Sequence, residues 1–299
     1  MKTYSDYLRS VFGPGKVQKI SVNAGMGCPN RDGSIGIGGC IYCDNSSFTP
    51  SYCMASASVT AQLEAGKAFF SRKYPEMRWL AYFQSFSNTY GRPVDELRRL
   101  YEAAASVDGV VGIVIGTRPD TLPDEVVGML AELNRRLPVI VEIGAESSFD
   151  QTLRLVNRGH TWHDVTDAVG RLNDAGIRSG LHLIAGLPGE TDEMVLENVR
   201  RACGLPIDTL KLHQLQILKG TPLHRLWLAG EIQAEPYTLD RYLDLCRRIL
   251  DIVPERIVVE RFLAQSPPAM VAAPKWGLKN HEFADRLHNL CEGRKPKQH

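Results

Sequence analysis

The chain is 299 residues long, 43% hydrophobic and 23% charged, with a formal net charge of +1. A chain of this size buries about three quarters of its unfolded surface, so it needs no disulfide scaffold. So neutral a balance argues against a general polyanion binder, while leaving room for a local basic patch.

The opening residues, MKTYSDYLRSVFG, alternate polar and apolar groups and lack the continuous apolar segment of a signal peptide. The most apolar run, 110–115, is far too short to span a bilayer. The expectation is a cytoplasmic protein with no membrane partner.

Taken in chain order, apolar and β-branched runs at 18–22, 79–83, 110–115, 139–143, 177–185, 209–218 and 256–262 predict strands. Amphipathic patterns at 59–71, 94–106, 124–137, 163–175, 192–202 and 239–252 predict helices between most of them. Pro93 and Pro123 with their following acids, Thr161 and Thr191 mark helix starts, and Gly176 marks a stop. Strands alternating with helices at the length of a βα unit mean a parallel sheet. The fold class expected is α/β, a partial TIM-like barrel, with a doubly wound open sheet as the competitor. We expect a core over 1–265, with a loop at 24–53 that is too long for its βα unit, and an extension over 266–299 with a helix at 281–291 and a frayed end.

That loop follows the first strand and therefore sits at the rim where α/β folds bind ligands. It carries Cys28, Cys40 and Cys43 in CPNRDGSIGIGGCIYC, with Cys53 close behind; Cys203, Cys246 and Cys291 are scattered and read as small buried hydrophobes. Three chemistries fit clustered thiols in a reducing compartment: a structural zinc site with Cys53 as a fourth ligand, a redox pair at Cys40 and Cys43, or an iron–sulfur cluster held by three thiolates with one iron left open. Gly33, Gly36, Gly38 and Gly39 would permit a tight wrap at positive φ and leave backbone N–H groups free to point at sulfide.

The ordered blocks Asn23-Ala-Gly-x-x-Cys28-Pro-Asn-Arg-Asp-Gly, Gly38-Gly39-Cys40-x-x-Cys43, Tyr82-Phe83-Gln84-Ser85-Phe86-Ser87-Asn88, Gly116-Thr117-Arg118-Pro119-Asp120, Asn157-Arg158-Gly159-His160, His182-x-Ile184-x-Gly186, His213-Gln214-x-Gln216 with Lys219, and Pro274-Lys275-Trp276 together resemble the YhcC-type radical SAM proteins. These are similar in turn to the catalytic subunit of Elongator. The resemblance covers roughly residues 4–280. The cysteine spacing, eleven residues then two, departs from the commoner three then two of the superfamily and matches the subgroup. Gly277 stands where that group usually has a cysteine.

The resemblance implies a (β/α)6-type barrel and a 4Fe-4S cluster on Cys28, Cys40 and Cys43. It implies S-adenosylmethionine (SAM) on the open iron, and reductive cleavage to a 5′-deoxyadenosyl radical that starts chemistry on a substrate. Gln84, Ser85 and Asn88 fall where the methionine amine is held. Arg118 would contact SAM or substrate. Glu142 and Glu146, on one face of their strand, would hold ribose or the ammonium, with Glu146 nearer the ribose. Arg158 would clamp the methionine carboxylate, and His182 with Gly186 would flank the adenine. His213 and Lys219 would act on substrate as proton donors or charge partners, helped by Glu260 and Arg261. Plain readings stand beside these: turns satisfying their own backbone, solvated arginines, a packing glycine, a strand with one wet face. An electron donor such as flavodoxin or ferredoxin is implied, and tRNA modification is one candidate activity. The rival class is a non-catalytic cluster- or zinc-bearing scaffold or sensor.

Overall fold

The computed structural model describes residues 3–71 and 76–293. The frayed end expected at the C-terminus lies mostly outside the described residues. Among the described residues nine strands follow one another: β1 (Val17–Val22), β2 (Arg78–Phe83), β3 (Val110–Thr117), β4 (Val139–Glu146), β5 (Arg178–Ala185), β6 (Thr209–Gln214), β7 (Ile217–Leu218), β8 (Val258–Arg261) and β9 (Val271–Ala273). Seven of them form one parallel sheet in the order β1-β2-β3-β4-β5-β6-β8, so each βα unit adds the next neighbour. The sheet is curled rather than flat. Lys19 of β1 and Glu260 of β8, on strands at opposite edges, meet with Nζ and Oε1 3.0 Å apart. This is the partial barrel, and the doubly wound alternative falls away.

Strand alternation sorts the core into two layers. Trp79, Ala81 and Phe83 of β2 point outward into the large cluster shared with the helices, whereas Leu80 and Tyr82 point inward with Val114, Ile140 and Val258. The predicted helices are present as Val59–Ser71, Val94–Ala105, Asp124–Asn134, Trp162–Asp174, Asp192–Cys203 and Leu239–Ile252. Thr161 caps its helix by accepting from Asp164 N, and Thr191 caps its own by accepting from Met194 N.

Beyond the short helices Asp150–Leu155 and Pro222–Leu228 and the strand β9, which were not expected, two elements differ from the sequence reading. The run 209–218 is not one strand: β6 ends at Gln214, and β7 leaves the sheet to pair antiparallel with β9. Leu215 and Ile217 then pack in a separate cluster with Val156, Leu187 and Leu223. The helix Asn280–Cys291 packs on Leu239–Ile252. The second difference is an unexpected helix, Tyr4–Phe12, started by a capping box between Thr3 and Asp6. It packs against β1 and β8 and sends Tyr7 and Phe12 into the inner core, plugging the barrel where the sheet stays open. Phe12→Ala should therefore cost about 3–5 kcal/mol. Tyr7→Phe should change stability by less than about 0.5 kcal/mol or raise it, because the buried Tyr7 hydroxyl has no hydrogen-bond partner. Urea midpoints at constant m-value separate the two outcomes.

Candidate functional site

Strand ends build the site. A cavity of about 260 Å³ is lined by Gln84 after β2, Thr117 of β3, Glu142 and Glu146 of β4, His182 and Ile184 of β5, His213 of β6 and Arg261 of β8. Cys28, Cys40 and Cys43 line the same cavity. Polar groups from six different elements thus converge on one chamber at the C-terminal rim, the place that βα geometry reserves for ligands.

The cysteine loop is a braced structure. Its N–H groups are largely spent inside it: Gly33 donates to Gly36 O, Gly36 to Pro29 O and Gly39 to Asn30 O. The expectation that these N–H groups stay free is therefore corrected. Gly39 sits at φ +82°, a left-handed turn that favours glycine. Gly36 is needed for space instead, since a Cβ there would lie 2.4 Å from Asn30 Oδ1. Donors gather at sulfur: Asn30 Nδ2 and Arg158 Nη1 each lie 3.6 Å from Cys40 Sγ, and Asn45 Nδ2 lies 3.8 Å from Cys43 Sγ. All the cysteines are free thiols. Burial, and then Cys40 beside it, push the Cys43 thiol up to about 11. Cys53 stands apart, buried and donating from Sγ to Ser21 O at 2.8 Å. Among the described residues, no three His, Cys, Asp or Glu side chains are gathered tightly enough to hold a single metal ion.

The turn 157–159 clamps this loop. Asn157, at φ +54°, donates from Nδ2 to Gly39 O at 2.8 Å, and Asn30 Nδ2 donates back to Asn157 O. Arg158 is buried; its Nη2 donates to Gly144 O at 2.7 Å and lies 3.3 Å from Glu146 Oε1, while its Nε has no partner. Arg118 is also buried, forked onto Asp120 and donating from Nη1 to Arg158 O at 2.8 Å. Its fork is filled by protein, so it braces the turn.

Beneath the cavity lies an ion network. Glu142 receives Lys19, Lys211 Nζ at 2.7 Å, the Tyr82 hydroxyl at 2.7 Å and His182 Nε2 at 2.9 Å. Lys211 is also 3.2 Å from Glu260. Burial alone would raise the Glu142 carboxyl; Lys19 and Lys211, then His182, overcome it and hold the group well below the usual carboxylate range. The two lysines move oppositely. Burial acts against both charges, but Glu142 and Glu260 lift Lys19 well above its usual value, whereas Lys211, deeper and facing Lys19 and Arg261, is lowered. Burial and the nearby cations hold His182 low and His213 well below the usual imidazole value.

Of the sequence-predicted residues, Gln84, Arg118, Glu142, Glu146, Arg158, His182 and His213 are brought together with the three cysteines. Four are not. Ser85 is buried with its Oγ 3.3 Å from Thr49 Oγ1, tying down the end of the cysteine loop. Asn88 is buried and donates to Phe83 O and Gly116 O, so it ties β2 to β3 from behind the wall. Gly186 serves a turn at φ +84°, where a Cβ would meet Tyr237 Cε2 at 2.7 Å. Lys219 is exposed, its ammonium donating to Ala269 O at 2.9 Å, and it borders a separate surface cleft with Arg31 and Asn45. Lys19 and Lys211 escaped the sequence reading, and Tyr82, quoted there in a motif block, was given no role; their signal was a charge or hydroxyl inside an otherwise apolar strand.

The comparisons agree with this geometry. The radical SAM superfamily model matches residues 22–202, and the radical SAM C-terminal domain model matches 207–292. The chain is 35% identical to the uncharacterized protein YtqA of Bacillus subtilis, covering 98% of this chain and 89% of that one. It is 34% identical to protein YhcC of Escherichia coli, covering 87% and 82%. A tRNA uridine(34) acetyltransferase of Methanocaldococcus infernus is 24% identical over 67% of this chain and 36% of its own length. The structure of archaeal Methanocaldococcus infernus Elp3 superposes with a TM-score of 0.67 at 17% identity, covering 93% of this chain and 63% of that one, which bears on fold alone. No helix among the described residues is long and apolar enough to cross a membrane. The scaffold alternative thus gives way: the chain belongs to the radical SAM superfamily, as an enzyme that works with a 4Fe-4S cluster and S-adenosylmethionine.

Proposed function

We propose that Cys28, Cys40 and Cys43 hold the cluster, that SAM and substrate share the cavity above the Glu142 network, and that the reaction begins by taking a hydrogen atom from the substrate. The observation that carries this is the opening of three free thiols, with amide and guanidinium donors at their sulfurs, into the same chamber as Gln84, Glu146 and His182. The donor set fits the group. Three soft thiolates suit iron and sulfide, N–H···S contacts favour the charged sulfurs, and a cluster, wider than one ion, accepts thiolates that are set apart.

When bound, the two cofactors together supply a carbon-centred radical by one-electron cleavage of the sulfonium bond. The protein's part is position and exclusion. Gln84 Oε1, which accepts from Ser21 Oγ at 3.2 Å, keeps a lone pair for an ammonium. Glu146, at φ +64° and turned into the cavity, offers a carboxylate to hydroxyls or an ammonium. Arg158 is proposed to act on the cluster side: its buried charge and its contact to Cys40 Sγ favour the reduced, more negative cluster. Arg158→Gln should lower the midpoint potential by roughly 60 mV, a tenfold change for a one-electron couple. An EPR-monitored redox titration reads it, and an unmoved potential would return Arg158 to its expected role on the methionine carboxylate.

For substrate, the reading favours tRNA. Its support is the remote relative whose name states that substrate, and that match covers only 36% of the relative. An external one-electron reductant is required, and a flavodoxin or ferredoxin suits the task. The test is anaerobic incubation of reconstituted protein with dithionite, SAM and total tRNA, followed by nucleoside analysis. A tRNA nucleoside that changes only with active enzyme supports the reading. Formation of 5′-deoxyadenosine with no change in any nucleoside rejects tRNA and leaves the radical chemistry standing.

A further inference from the structure

We infer that the β6–β8 wall of the cavity is a binding subsite for an anionic group of the substrate, a phosphate or a carboxylate; this rests on the proposal that substrate enters this chamber. His213, Gln216, Arg261 and Gln265 are among the side chains that line the cavity there, beside Gln214, which is paired with the Ala264 backbone, and Ser266. Each acceptor among the first four already holds a protein donor. Arg261 Nε donates to His213 Nε2 at 3.1 Å. A guanidinium has only donors, so Nε2 is the unprotonated nitrogen and the neutral ring carries its N–H on Nδ1. Gln216 Oε1 accepts from Ser266 Oγ at 2.8 Å, and Gln265 Oε1 accepts from Asn280 Nδ2 at 3.0 Å. Two amide NH₂ groups, one imidazole N–H and the outer nitrogens of Arg261 remain as donors, and they outnumber the one further lone pair on each amide oxygen.

Charge points the same way. The other basic groups packed around the chamber's floor and rear are answered: Arg118 by Asp120, Arg158 by Glu146, and Lys19 and Lys211 by Glu142 and Glu260. Among the described residues, Arg261 has no carboxylate within ion-pair distance; its one hydrogen-bond partner is the neutral His213. Glu260, its neighbour in β8, is turned toward the lysines. A wall of donors around an unanswered guanidinium suits a group with acceptors only. Phosphate and carboxylate oxygens are that, and a bidentate fork favours either. A neutral amide or base edge would leave the Arg261 charge unanswered.

Two sources of the anion are possible, an RNA backbone phosphate or a phosphate or carboxylate on a small molecule, and the experiment separates them. Full-length reconstituted protein, wild type and Arg261→Met, is titrated anaerobically by calorimetry with inorganic phosphate, with acetate and with a tRNA transcript, each at saturating SAM. Arg261→Met should weaken phosphate or acetate at least about tenfold and leave SAM affinity within about twofold. Gln265→Leu should show a smaller loss in the same direction. If the transcript also weakens and its salt slope falls by about one, the anion is an RNA phosphate; if only the small anions weaken, it belongs to a small molecule. Both results support the subsite. The inference is overturned if wild type binds neither small anion, if both proteins bind them equally, or if the variant loses SAM instead. Iron content and 5′-deoxyadenosine formation are measured on both proteins. Their absence from wild type would indict the proposed cluster site, independently of anion binding.

Discussion

Glu142→Gln is expected to destabilise the protein by about 3–5 kcal/mol, because it leaves two buried ammonium groups without their shared counter-charge. In a domain of this size that corresponds to a fall in Tm of roughly 6–20 °C. Lys211 has a side chain only 3% exposed and Lys19 one 14% exposed, so water cannot replace the lost carboxylate. Glu260 still meets both lysines, which keeps the loss from being larger. Adding Lys211→Met to Glu142→Gln should recover part of it, since one stranded charge is then gone. The sign with pH follows from the depressed carboxyl. The stabilisation is fully present above the unfolded pKa of about 4.3 and is lost as pH falls through the lower folded value. Wild type should therefore lose stability on acidification across that window, and Glu142→Gln should be flatter there. Chemical unfolding at several pH values checks both statements. An unchanged midpoint would mean that the network is solvated.

Alanine at Cys28, Cys40 or Cys43 is expected to abolish cluster binding and SAM cleavage, whereas Cys53→Ser keeps both. The three thiols line the cavity. Cys53 does not; it spends its S–H on Ser21 O, a bond that a serine hydroxyl can replace at a cost of about 1 kcal/mol. Burial pushes the Cys53 thiol up to about 12, in keeping with a neutral S–H that donates to Ser21 O. Iron and sulfide analysis after anaerobic reconstitution reads the difference. Loss of iron in Cys53→Ser to the same degree as in Cys40→Ala would place Cys53 among the ligands.

The βα order, the helix starts at Thr161 and Thr191 and the cysteine loop at the rim were legible because each is a local signal: periodicity, cap chemistry, an interval too long for its βα unit. The helix Tyr4–Phe12 was not recognised, although Thr3 and Asp6 carry its capping box and Tyr4, Tyr7, Leu8, Val11 and Phe12 fall at helical spacing, because the opening residues were weighed only against a signal peptide. Glu142 was singled out with Glu146, and as a carboxylate inside the apolar run 139–143 it asks for a buried counter-charge. The same reasoning applies to Lys19 and Lys211, and the three explain one another once the sheet curls. Ser85, Asn88 and Gly186 were misplaced for a different reason. Each sits in the right block, but turn geometry sends the two side chains back to loop and backbone partners and uses the glycine for its φ. Which residue of a turn faces a cavity depends on the turn's own dihedrals, which residue order does not state. Lys219 was lost with the break after Gln214, which moves it out of the barrel strand and onto the surface.

The central claim is that three protein thiolates hold the cluster and one iron is left for SAM. The most direct measurement is EPR of the dithionite-reduced, anaerobically reconstituted protein before and after SAM, repeated with SAM labelled with 15N or 17O in its amino acid moiety. A reduced 4Fe-4S signal whose g-values shift on adding SAM is expected, with coupling from the labelled atoms to the cluster. A cluster signal that SAM leaves unmoved, or a protein that carries one metal ion bound by four of its own side chains, would contradict it.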